Sequence, residues 1–124
     1  MKIKSFLKSV LEKQEVNDNF KQVENKFIPL KIINHEAKKL IYVLNADPLF
    51  FDDDMFYRLL SLQEVLDCES DMNVPFRRIG LMPLIDCGDN DFICYDFRNH
   101  GWCKFNIAEE FKYSAKRSIL DFFD

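Results

Sequence analysis

Glycine stands at only three positions, Gly80, Gly88 and Gly101. That is too few, and too widely spaced, for a GxGxxG fingerprint or a P-loop, so a phosphate cradle built on glycine is excluded. Four cysteines occur, but none forms a CxxC pair, and the two histidines, His35 and His100, have no ligand spacing to them. A zinc site is not expected from such spacing, and free, reduced thiols in a cytosolic protein are. No apolar run approaches the roughly 18 residues of a spanning helix, and no long apolar region follows Met1 to Phe6. The expectation is a cytoplasmic protein with neither a standard secretory signal nor a membrane span. Basic charge is also short. Lys and Arg number 17 against 21 Asp and Glu, a net charge of −4, which disfavours a nucleic-acid partner.

What the chain has instead is phenylalanine. Thirteen of its 124 residues are Phe and 48% are hydrophobic, enough for one globular domain spanning residues 1–124. The richest stretch runs from Arg77 to Asn106. Apolar runs at Ile79 to Ile85, Phe92 to Phe97 and Trp102 to Phe105 are separated by the turn signals Cys87 to Asp91 and Arg98 to Gly101. This pattern predicts a three-stranded antiparallel meander. In its middle strand Phe92 and Cys94 face one way and Ile93, Tyr95 and Phe97 the other, as in a strand covered on both sides.

Helical spacing flanks the meander. Ile3, Phe6, Leu7, Val10 and Leu11 form one stripe of an amphipathic helix. Asn17 is placed to cap a second helix with Phe20, Val23 and Phe27 on its apolar side. Asn34 is placed to cap a third, with Ala37, Leu40, Ile41 and Leu44 inward, ending near Pro48. Phe50 to Asp54 reads as an acidic loop with aromatic neighbours, and Met55 to Leu60 as a strand. Ser61 and Glu64 have the spacing of a capping box, opening a short helix towards Cys68. Glu69 to Pro75 reads as a polar turn. Ser118 begins a closing helix that docks through Ile119, Phe122 and Phe123. The fold class expected is α+β: a mainly antiparallel sheet with a central meander, N-terminal helices and other helices packed around it, and a closing C-terminal helix.

Chemistry is harder to find. Asp86, Asp89 and Asp91 suggest a calcium loop, but counting from Asp86 the required Gly and Glu positions hold Asp91 and Phe97. Asp86 with Asp96 has no reason to converge, and His100 with Cys103, across a turn and into a strand, is expected to point apart. No catalytic site, metal or cofactor is expected. Charge, however, is distributed unevenly. Residues 1–39 carry nine Lys and five acids, whereas residues 40–99 carry four Arg and twelve acids, a balance of −8. An acidic central half suits a basic partner.

The layout resembles the SUKH superfamily, the Smi/Knr-like domain. Ile33 to Asn45 is similar to the family's LPxxYxxFLxxxNGG helix, keeping the Asn at its end. Asn34 stands for the Pro, Ala37 for the aromatic, and Ala46-Asp47 for the glycine pair. Leu60 to Val65 is similar to the family's short helix after a strand. Ile79 to Leu84 and Gly88 to Asp96 match its core strands, and Ser118 to Phe123 its closing helix. The resemblance covers roughly residues 17 to 123. It implies a non-enzymatic immunity protein that binds and neutralises a cognate bacterial toxin domain, a nuclease or deaminase being the usual kind. A general interaction or regulatory module of the same fold is the alternative. On the immunity reading the expected contact surface comprises Asp52, Asp53, Asp54, Glu69 and Asp71, with Phe50 or Phe51 as aromatic anchors against a basic toxin.

Overall fold

The computed structural model describes residues 2–13, 17–52 and 55–123. The N-terminal apolar stripe forms α1 (Lys2–Glu12), with Ile3, Leu7 and Val10 buried. Helices α2 (Asn19–Lys26) and α3 (His35–Tyr42) follow. Asn34 caps α3 as expected, its Oδ1 accepting from the Ala37 N–H at 3.1 Å. Asn17 does not cap α2; that position is Asp18, and Asn17 instead accepts from the Asn19 N–H. Helix α3 stops at Tyr42, well short of Pro48, where amides from the α2 start take its orphan carbonyls. Asn17 Nδ2 donates to Tyr42 O at 2.7 Å and Asn19 Nδ2 to Leu44 O at 2.9 Å.

The stretch expected as an acidic loop is partly a strand. β1 (Leu49–Asp52) pairs antiparallel with β2 (Phe56–Leu59), Phe50 opposite Arg58 and Asp52 opposite Phe56. Ladder bonds outweigh the poor strand preference of an acidic end, because strand preference depends on context. The Ser61 capping box forms in full: Ser61 Oγ accepts from Glu64 N and Glu64 Oε1 accepts from Ser61 N. It opens α4 (Leu62–Leu66). A second departure follows, since the expected polar turn contains a helix, α5 (Cys68–Met72), anchored by buried Cys68 and ending on Asn73 at φ 55°. A short α6 (Phe76–Ile79) leads through Gly80 into β3 (Leu81–Gly88).

The meander appears as read: β3, then β4 (Asp91–Asp96), then β5 (Gly101–Asn106). An unexpected β6 (Phe111–Lys116) extends it. The chain closes in a 3-10 helix (Ile119–Phe122), where Ser118 Oγ accepts from Leu120 N; Ile119 and Phe123 are buried and Phe122 only half-buried. The six strands lie in chain order, each antiparallel to the next. The β1–β2 hairpin precedes α4, so the order is not simply helices then sheet; the class is α+β as expected.

Helices cover both faces of the central strands. On one face Phe27 of the α2 end stacks on Phe97, Phe6 of α1 meets Phe51, and Tyr57 meets Phe123. The same face carries Trp102, whose Nε1 donates to Glu36 of α3 at 2.9 Å. Glu36 also accepts from Ser118 Oγ at 2.8 Å and Ile119 N at 3.0 Å, which ties α3, β5 and the closing helix together. On the other face Phe105 packs on Phe76 of α6, and Cys94 sits opposite Cys103. Pro83 is tolerated inside β3 because the ladder to β4 is irregular between Pro83 and Ile85, and pairing to β2 reaches only Ile85 and Asp86.

Candidate protein-binding surface

Strand alternation decides which of the two adjacent phenylalanines in β1 meets solvent. Phe51 turns inward, its ring 5.1 Å from that of Phe6. Phe50 turns outward and is 62% exposed. Beside it lies Phe56 of β2, 53% exposed, the two ring centroids 5.6 Å apart. Asp52, exposed, lies opposite Phe56 in the ladder, and exposed Met55 precedes β2. The surface is thus an aromatic pair with a carboxylate at the rim of a sheet. Phe56 sits diagonally across the ladder from Phe50, on the same face and two residues before its partner Arg58. Asp53 and Asp54 lie outside the described residues.

The only basic residue between Asp47 and Leu60 is Arg58, and it is already engaged. It donates to Glu64 Oε2, and to Asp86 Oδ2 at 3.1 Å. Burial works against ionisation of Glu64, but the Arg58 guanidinium and the Ser61 backbone N–H outweigh it and hold this carboxyl below its ordinary range. The arrangement pins β2, β3 and α4 together.

The other two acids expected at the surface lie on α5. Glu69 is taken by Arg77, which donates through Nε at 2.7 Å and through its backbone N–H at 3.2 Å. Asp71 is exposed. Helix α5 buries Cys68 and is a separate element from the β1–β2 hairpin, so the expected residues divide between two elements.

The chain matches no family model, no curated protein and no solved structure. The chemistry of this surface therefore rests on its own side chains. Asp86 and Asp96 do not pair: the first binds Arg58, and the second accepts from Lys112 Nζ at 3.0 Å, Asn99 Nδ2 at 2.9 Å and Arg98 N at 2.9 Å. His100 Nδ1 lies 3.1 Å from the Tyr95 hydroxyl, while Cys103 is buried in β5. All four cysteines are free and buried. Burial pushes the thiols of Cys68 and Cys87 up to about 12 and that of Cys103 to about 11, and holds the Cys94 thiol well above its ordinary value, so none supplies a thiolate near neutral pH. Among the described residues, no three His, Cys, Asp or Glu side chains are placed to hold a metal ion, and no helix is long and apolar enough to cross a membrane.

A cleft of about 750 Å³ opens between α1, the α2 start and the α3 end, lined in part by Phe6, Lys13, Asn17 and Asn45. Of its amides, Asn17 and Asn19 are spent on the carbonyls at the α3 end.

Proposed function

We propose that this chain is a non-enzymatic immunity protein of the SUKH type, which binds a basic toxin domain in the cytoplasm of the producing cell and neutralises it. The observation that carries the reading is the exposed Phe50–Phe56 pair beside Asp52 on a hairpin braced by Arg58. Two large aromatic side chains left in water are costly for an isolated domain, and aromatic anchors rimmed by charge are what a partner surface needs. Three consecutive aspartates follow Phe51 in the sequence, a charge run complementary to the basic cleft of a nuclease. Four free, buried thiols suit a reducing compartment.

The test pairs this protein with a candidate toxin domain taken from the product of a neighbouring gene. Cells producing that domain should survive when this chain is co-expressed, and the two should co-purify as one complex. Survival without a complex, or a complex without survival, sinks the immunity reading. Recovery of several unrelated regulatory proteins shifts the function to a general interaction module.

A further inference from the structure

The sheet has two ends, and they are built differently. Among the described residues β1 has a neighbouring strand on one side only, and so has β6. An unpaired strand edge is a template for another chain, and proteins guard such edges with bulges, lysines and charge. β6 is guarded in this way. Ser114 sits at φ 54° where the ladder to β5 is irregular, and residues 111–117 carry Lys112, Lys116 and Arg117 with no acid. β1 has no bulge in its register with β2, and its one charged residue is the acid Asp52. Exposed rings occur at both edges, Phe50 on β1 and Phe111 on β6, so backbone regularity and the sign of charge are what distinguish them. Residues 47–58 carry four aspartates against one arginine.

From this asymmetry we propose that the free edge of β1 receives an extended segment of a basic partner as a seventh strand. This deepens the toxin-binding reading and rests on it. The partner's chemistry follows from the alternation of β1. On the face of Phe50 and Asp52, an added strand meets a carboxylate and aromatic rings, which suit lysine or arginine through ion pairing and cation–π contact. On the face of Leu49 and Phe51, it continues a partly buried apolar layer, which suits aliphatic side chains. The expected segment therefore alternates basic and apolar residues. The like charges of β6 repel such a strand, so charge selects one edge.

The experiment uses the whole chain and a synthetic decapeptide of alternating lysine and valine, with a glutamate–valine decapeptide as control. Hydrogen exchange of individual amides is followed by NMR. The lysine peptide should slow exchange of those β1 amides that point away from β2 by about tenfold or more, leaving the alternate ones that face β2 much less affected, and the glutamate peptide should not. Asp52→Lys, at an exposed position, should abolish that protection without changing the spectrum of the core. Shifts at Phe50 and Phe56 without slower exchange in β1 would overturn strand addition while leaving the surface reading intact. No response anywhere on the hairpin overturns both. Protection at β6, or β1 protection that appears without peptide as protein concentration rises, assigns the edge differently and also overturns the proposal.

Discussion

Two buried acids show how single side chains hold this fold. Glu36, 8% exposed, satisfies three donors from two other elements: Trp102 Nε1, Ser118 Oγ and Ile119 N. Glu36→Ala strands all three, so unfolding in urea should show a loss of about 2–5 kcal/mol, and a loss below about 1 would show that water replaces the carboxyl at little cost. Asp96 differs, because its shift gives it a pH signature. Burial opposes its charge, yet Lys112, the Arg98 N–H and Asn99 together hold its carboxyl below the ordinary aspartate range. A carboxyl depressed on folding stabilises above the pKa of the unfolded chain and loses that contribution as pH falls through the lower, folded value. Asp96→Asn should therefore cost about 1–3 kcal/mol at pH 7, and the gap to wild type should close as pH falls below about 4. A gap that stays constant down to acid pH would assign the loss to geometry and not to charge.

At the scale of elements, what could be read from the chain was what local chemistry dictates. The Asn34 cap, the Ser61–Glu64 box and the Ser118 start each form because one side chain meets a nearby N–H, a matter of spacing alone. The meander was legible because its strands are buried on both faces and their apolar runs are broken by turn residues. Three elements were not. β6 is an edge strand exposed at nearly every position, so it carries no period-2 apolar signal, and Ser114 breaks what pattern remains. Helix α5 buries only Cys68, too little to mark a helix. β1 was hidden by the acidic run that begins at its last residue. The candidate surface was half legible for the same reason. Adjacent Phe50 and Phe51 imply one ring in and one out, but which ring meets solvent depends on α1 supplying Phe6.

Across the whole molecule, charge and edge protection vary together. Residues 1–39 are basic by +4 and residues 40–99 acidic by −8, and the least guarded strand edge lies in the acidic half. A field of this kind acts first on the rate of encounter, because screening in salt weakens it over about 10 Å at 0.1 M ionic strength. Replacing Asp52, Asp53 and Asp54 together by Asn removes three charges, and at solvent-exposed Asp52 it removes few packing contacts. If the proposed toxin-binding function holds, association with the basic toxin domain should slow by roughly tenfold or more at low ionic strength and by little at high salt, with the dissociation rate much less affected. The melting temperature should stay close to that of the wild-type chain. Stopped-flow association across a salt series reads all of this. An unchanged association rate at low salt would place the toxin elsewhere. A slower rate independent of salt would mean that the loop acts through shape, and would leave Phe50 and Phe56 as the anchors to test next.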